Sequence, residues 1–308
     1  MDTIRFGICG TGSFGRTRAR AIQKAQGTVA TLGWSRTRRT RDLFRQELDV
    51  PTVEHWQDLC DSADVDAVLI CSPNVDHFPH ARGALAAGKH VLVEIPLSAS
   101  AAQAKELAQL AAAKGLVLHH GIQVRHHPEY RAHINQIRRI GPLLYGIEHS
   151  HWDFGADRKW NANPDLNAGA RDFVAYYMPR WMDAFGEVER VTGVQSRADG
   201  WSSATITMNF SAGGYFTVGY MLGESVWPGK PELIIGRDGM ICQDDDTQTL
   251  VTEDARQTLA LSKVDGVQCE IEAFRDEILG LRDHLTPLQT DLRALDLVDS
   301  AIPKVVVY

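Results

Sequence analysis

The chain has 308 residues, 44% hydrophobic and 23% charged, long enough to bury about three-quarters of its unfolded surface in one large or two smaller domains. A net charge of -7 argues against nucleic acid as a partner, because phosphate binding needs a cationic face. No apolar run approaches the roughly 18 residues of a membrane span, and MDTIRFGICG runs straight into a strand with no space for a signal peptide, so a cytoplasmic protein with no membrane partner is expected.

In chain order, residues 3–9 read as a strand, 13–24 as a helix, 28–35 as a strand and 40–48 as a helix. Strand 67–71, helix 75–87, strand 90–94, helix 99–113 and strand 116–119 follow, with Gly88 placed to stop the helix before it. Such repetition of strand and helix predicts a parallel, doubly wound sheet covered on both faces. From Gly141-Pro142 the texture changes. Residues 143–153, 188–197, 203–210, 214–221 and 231–235 read as successive strands, with hairpin signals at Ala212-Gly213-Gly214 and Asp238-Gly239. The fold class expected is therefore an N-terminal Rossmann sheet and a C-terminal domain built on an open, mostly antiparallel sheet. Helical patterns return at 267–280 and 287–302. The five cysteines (Cys9, Cys60, Cys71, Cys242, Cys269) are scattered and odd in number, which favours free thiols over disulfides or metal ligands.

Gly10-Thr11-Gly12-Ser13-Phe14-Gly15 fits G-x-G-x-x-G and lies where a strand ends and a helix begins. Gly10 permits a tight turn, Gly12 lets phosphates approach, and Gly15 allows close helix–strand packing, so that backbone amides can hold a pyrophosphate. Enzymes that prefer NAD place an acid about twenty residues later to bind the ribose 2′-hydroxyl. Here the sequence is Trp34-Ser35-Arg36-Thr37-Arg38-Arg39, with no acid before Asp42. Ser35, Arg36 and Arg39 would instead meet a 2′-phosphate, and NADP(H) is the expected cofactor. In Cys71-Ser72-Pro73-Asn74-Val75-Asp76-His77, Pro73 fixes a turn and Asn74 is suited to cap the next helix.

Together with this glycine loop, the run AGKHVLVEIP and the block Gln123-Val124-Arg125-His126-His127-Pro128 resemble the glucose–fructose oxidoreductase/inositol dehydrogenase (Gfo/Idh/MocA) family. The resemblance implies that Cys71, Ser72, Asn74 and His77 lie beside the nicotinamide ribose, and that Glu94, Pro96 and Gln123 border the cofactor. It also implies domains at 1–121, 122–285 and 286–308, the last being a helix that packs back on the Rossmann domain. A homodimer or homotetramer through the C-terminal sheet is expected on the same ground.

The pattern breaks at the reacting centre. Family members usually carry Glu-Lys-Pro, and the lysine serves proton transfer; here the middle residue is Ile95. The family's Asp-x-Gly-x-His-x-x-Asp helix aligns with Asp172, Tyr176 and Pro179, so a second proton-bearing side chain is replaced as well. Biliverdin reductases also lack the lysine, and Arg180-Trp181-Met182-Asp183-Ala184-Phe185-Gly186 is similar to a block that some of them carry. Residues four apart share a helix face, so Tyr176 and Asp172 are candidate proton donors, with Arg180 a cation able to lower a tyrosine pKa from about 10. Packing aromatics are the alternative reading of Tyr176 and Tyr177. His126 and His127 are further candidates for proton transfer, and surface or capping histidines are their alternative. No metal is expected, since neither spacing nor acidic neighbours along the chain suggest zinc and hydride transfer needs none. The expected activity is reduction of an imine, conjugated or carbonyl bond of a small organic substrate. The rivals are a sugar or polyol dehydrogenase with a relocated base and a catalytically silent NADP(H)-binding sensor.

Overall fold

The computed structural model describes residues 3–152, 166, 169–198, 201–223, 231–244, 247–260, 264–283 and 288–302. The contacts divide it into two bodies, residues 1–127 with 265–288, and residues 128–264 with 289–308.

The first body opens with β1 (Ile4–Cys9), α1 (Ser13–Lys24), β2 (Thr28–Trp34), α2 (Arg38–Leu48) and α3 (Trp56–Asp61). It continues with β3 (Ala67–Ile70), α4 (Asn74–Ala86), β4 (His90–Val93), α5 (Ala101–Lys114), β5 (Leu118–His120) and a 3-10 turn (Gln123–His126). The five strands are parallel in the order β2-β1-β3-β4-β5. Both β3 and the three inner residues of β4 are fully buried, as a sheet covered on both faces requires. The order reverses between β1 and β3, which is where ligands bind in open parallel sheets. Gly88, with φ +79, follows α4, and Gly115, with φ +64, ends α5.

The body is completed by a helix distant in sequence, which we number α8 (Gly266–Ile278). Asp265 caps it by accepting from the amides of Val267 and Gln268. Its Ile271 and Phe274 join Phe6, Ile8, Ile22, Phe44 and Leu69 in one core.

The second body contains α6 (Pro128–Arg139), β6 (Leu143–Trp152), α7 (Ala170–Phe185), β7 (Val188–Ala198), β8 (Trp201–Phe210) and β9 (Tyr215–Gly223). Strands β10 (Glu232–Gly236), β11 (Gly239–Gln243), β12 (Thr247–Thr252) and β13 (Arg256–Ala260) follow, with α9 (Leu288–Ala301) closing the described chain. Its eight strands run β13-β12-β11-β10-β6-β9-β8-β7, antiparallel except where β6 meets β9. Every second residue of β8 and β9 (Ala204, Ile206, Met208, Phe210; Phe216, Val218, Tyr220, Leu222) is buried, which turns one face of these strands toward α7. Trp181 of α7 stacks on Phe216 with ring centroids 3.9 Å apart.

Several expectations are placed differently. The helix that joins the first body is α8, whereas α9 lies in the second, where Arg171 donates to Ile302 O and pairs with Asp299. The contacts put the change of body at Pro128 rather than after residue 121, because the 3-10 turn belongs with β5. Helices α3 and α6 and strands β11, β12 and β13 were not among the expected elements. The end of the strand expected to reach residue 153 and the start of the helix expected at 287 lie outside the described residues.

Candidate active site

The glycine loop has the geometry its spacing requires. Gly10 has φ +110, and a Cβ there would fall 2.4 Å from the carbonyl of Cys71. A Cβ on Gly15 would fall 1.9 Å from Gly10 O, so α1 can approach β1 this closely only without a side chain. A Cβ on Gly12, by contrast, would meet nothing within 4 Å beyond its chain neighbours among the described residues. Thr11 is fully buried and its hydroxyl has no hydrogen-bond partner among the described residues. No side chain caps α1 and its first turn, which holds Ser13 and Phe14, carries no acid. These amides, the open Gly12 and the orphaned Thr11 hydroxyl suit a pyrophosphate.

Trp34 O accepts from the amides of both Gly10 and Thr11, at 2.7 and 3.2 Å. The end of β2 is thereby pinned against the loop, and Ser35 and Arg36 follow at once. Arg36 and Arg39 are exposed. Asp42, the first acid, lies 3.2 Å from Arg45 and 3.6 Å from Arg38, so its charge is already matched.

The Cys71–His77 loop is tied to the turn after β4. His77 is 1% exposed, its Nδ1 lies 2.7 Å from Pro96 O and its Nε2 2.8 Å from Ser72 O. Ser72 Oγ also meets His80 Nδ1 at 3.0 Å. Asn74 is buried in the first turn of α4, and Pro73 rather than Asn74 occupies the cap position. The Ile95–Pro96 bond is cis. Burial pushes the Cys71 thiol far above its usual range, which makes it an unreactive neighbour.

Behind the loop lies a buried charged network that the sequence reading missed. Arg18, fully buried on α1, pairs with Glu94 at the end of β4 and with Glu270 of α8, whose Oε2 is 2.5 Å from Nη1. Glu270 Oε1 lies 3.5 Å from His119 Nε2 and 3.9 Å from His126 Nε2. The other nitrogen of His119 lies 2.9 Å from Glu277 Oε2. Burial pushes the Glu94 carboxyl up to about 7 against the pull of Arg18. Burial opposes ionisation of Glu270 too, but Arg18 and His119 outweigh it and bring it to about 2. His119 is held at about 9 because Glu270 and Glu277 outweigh its desolvation. Burial and the neighbouring His119 bring His126 down to about 4. His127 and Gln123 are half-buried and lie near the first residue of α8, since a Cβ on Gly266 would be 3.7 Å from His127 Cδ2 and 3.6 Å from Gln123 O. A signal was present for Arg18, a charge among the apolar positions of an otherwise regular helix, but none for its partner 252 residues away.

In the second body Asp172 and Tyr176 are both buried on α7, with Tyr176 edge-on to Tyr177 at 4.8 Å. Arg180 does not face a tyrosine as a lone cation. It lies 3.0 Å from Glu148 and 2.5 Å from Glu232, two buried carboxylates that take up its charge. Burial and Glu148 push the neighbouring Tyr177 up to about 12, against the pull of Arg180. Asp183, in the block similar to biliverdin reductases, accepts from Tyr130 at 2.7 Å.

The first body is thus a Rossmann nucleotide-binding domain with a complete glycine loop at the topological switch point. Residues 4–122 match a family model described as "Oxidoreductase family, NAD-binding Rossmann fold". The chain is 35% identical over 135 residues to dTDP-3,4-didehydro-2,6-dideoxy-alpha-D-glucose 3-reductase of Actinomadura kijaniata, covering 42% of this chain and 40% of that protein. It is 36% identical over 117 residues to human biliverdin reductase A, covering 37% and 39%. These matches span about two-fifths of each relative's length. Among solved structures, biliverdin reductase from Synechocystis sp. PCC 6803, in complex with biliverdin and NADP+, aligns with a TM-score of 0.88 at 24% identity over 97% of this chain and 98% of that one. That likeness extends the fold across the C-terminal sheet.

Proposed function

We propose that the protein is an NADP(H)-dependent oxidoreductase that reduces an imine, conjugated or carbonyl bond of a small organic substrate by hydride transfer from nicotinamide C4. The observation that carries the cofactor is the pinning of β2 by Trp34 O, which sets Ser35 and Arg36 beside the glycine loop with no unmatched acid between. Gly10 to Gly15 would hold the pyrophosphate, and Ser35, Arg36 and Arg39 the 2′-phosphate. Cys71, Ser72, Asn74, His77, Glu94, Pro96 and Gln123 would form the walls of the nicotinamide end. When bound, the cofactor supplies the hydride; the protein must orient the substrate and move one proton.

The reductive direction is favoured by Ile95, which can neither take nor give a proton where the family places a lysine. Reducing a conjugated bond or an imine asks for no base to deprotonate an alcohol. Tyr176, Asp172, His126 and His127 remain the candidates for proton delivery. The open face of the eight-stranded sheet, with Val194 70% and Tyr215 43% exposed, supports a homodimer or homotetramer.

One observation favours a second reading, oxidation of a sugar hydroxyl with a relocated base. Glu94, one residue from the missing lysine, is pushed up to about 7, where a carboxylate is a competent general base. The deciding experiment follows NADPH oxidation with biliverdin, cyclic imines and enones, beside NADP+ reduction with sugars and polyols. Turnover in the first set alone supports the reductase. Turnover in the second set alone overturns it, and silence in both with NADPH still bound makes the protein a cofactor sensor.

A further inference from the structure

We infer that His119, His126 and Glu270 form a site for one divalent transition-metal ion, with zinc the best match to the donors. It lies in the first body, where β5, the 3-10 turn and α8 meet; with the ion bound His126 is a ligand, and proton delivery falls to Tyr176, Asp172 or His127. One donor atom from each residue falls within 4.8 Å of the others. Glu270 Oε1 is 3.5 Å from His119 Nε2 and 3.9 Å from His126 Nε2. Tetrahedral zinc with bonds of about 2.0–2.1 Å holds its donors roughly 3.4 Å apart, so the two Glu270–histidine separations need to close by only about half an ångström or less. The two histidine donors, within 4.8 Å of each other, need to close by at most about 1.4 Å, within reach of a ring rotation. Two imidazoles and one carboxylate suit zinc and its first-row neighbours; calcium and magnesium favour all-oxygen sets.

Two further observations point to a ligand. The His126 side chain is 1% exposed, and neither ring nitrogen has a hydrogen-bond partner among the described residues. A buried imidazole oriented at a carboxylate 3.9 Å away, too far for a hydrogen bond, leaves a space that an ion between them would fill. The outer groups are also in place. Glu277 holds Nδ1 of His119 at 2.9 Å, the carboxylate–histidine arrangement that orients a metal-binding ring. Arg18 holds Oε2 of Glu270 at 2.5 Å, leaving Oε1 directed at the two histidines. The fourth position is left for a solvent ligand. Such an ion would fasten α8 to a sheet built from the first 120 residues.

The test uses untagged, full-length protein stripped with a chelator and dialysed. Titration with Co2+ should saturate at one equivalent with the intense visible absorption of a tetrahedral ion, zinc should displace it, and zinc should raise the melting temperature. His126→Leu, which removes no ion-pair partner of Arg18, should abolish the band and the thermal shift. Glu277→Gln should weaken binding by about 10–100-fold, and His151→Asn in the second body should change nothing. Glu270→Gln strips a partner from buried Arg18 and is not relied on. The inference is overturned if no tetrahedral band forms at stoichiometric Co2+, or if His126→Leu binds like the parent; the cluster is then a hydrogen-bonded network and nothing more.

Discussion

Nδ1 of His77 lies 2.7 Å from Pro96 O while its Nε2 lies 2.8 Å from Ser72 O, so a single imidazole clips the loop after β3 to the turn after β4. Both segments stand at the carboxyl ends of parallel strands, where a nicotinamide would bind. His77→Leu fills similar space but satisfies neither carbonyl. A neutral imidazole donates to only one of the two carbonyls, so the loss should cost about 1–3 kcal/mol of stability, the cost of one buried group left unpaired. It should also weaken NADPH binding. Urea unfolding and a fluorescence titration check both; unchanged stability would show that the clip is dispensable.

Gly12→Ala and Gly15→Ala separate binding from folding. Space is open around Gly12, so its variant should fold normally and bind NADPH several-fold more weakly or worse. The Gly15 variant meets Gly10 O and must displace α1, costing about 1–3 kcal/mol or more. Thermal unfolding and cofactor titration of the pair would reveal the contrast. Equal melting temperatures would refute the packing role of Gly15.

Arg36→Ala should lower the preference for NADPH over NADH by roughly 10–100-fold, the value of one charge-assisted hydrogen bond of about 1.5–3 kcal/mol. Because Arg36 is exposed, stability should hold. An unaltered ratio of kcat/KM for the two cofactors would remove the 2′-phosphate assignment.

Ile95→Lys tests the direction of chemistry. A sugar dehydrogenase with a relocated base should keep or gain alcohol oxidation, while a reductase that works without a lysine should gain nothing and lose turnover. Steady-state rates in both directions distinguish them.

Acid should loosen the second body through His133. Burial beside Arg180 brings this ring down to about 4, below its unfolded value near 6.5. The unfolded chain therefore binds the proton more readily between those values. The stabilisation is complete above pH 6.5 and falls by up to about 1.4 kcal/mol per pH unit toward pH 4. His133→Gln should flatten the dependence of denaturation free energy on pH between 7 and 4.5. A parallel slope in the variant would assign the acid sensitivity to other groups.

Local patterns made most of the first body legible. The glycine spacing, the apolar runs of β1, β3 and β4, and Gly88 after α4 each act within a few residues, and the structure places them as read. The sheet order of the second body and the strands β11 to β13 were not legible, because their alternation is largely of threonine, glutamine and charge rather than clear apolar stripes. The core position of α8 was hidden for another reason. Its docking depends on Arg18 meeting Glu270 and on Phe274 meeting Phe6, pairings across some 250 residues that no local pattern encodes. A separation of 151 residues from His119 and 144 from His126 likewise hid Glu270 as their neighbour, whereas the histidines themselves stood out. Arg180 was noticed for its charge, but the two glutamates that absorb that charge arrive from β6 and β10.

The late return of α8 has a consequence during synthesis. Residues 128–264 must leave the ribosome between the last strand of the first sheet and the helix that completes it. At about 5–20 residues per second this is a wait of roughly ten seconds. Throughout it the nascent sheet stands without Ile271 and Phe274 on its core, and Arg18 without Glu270. A ribosome-bound chain ending before residue 265 should therefore be a natural client for chaperones, and its release from them should coincide with the emergence of α8.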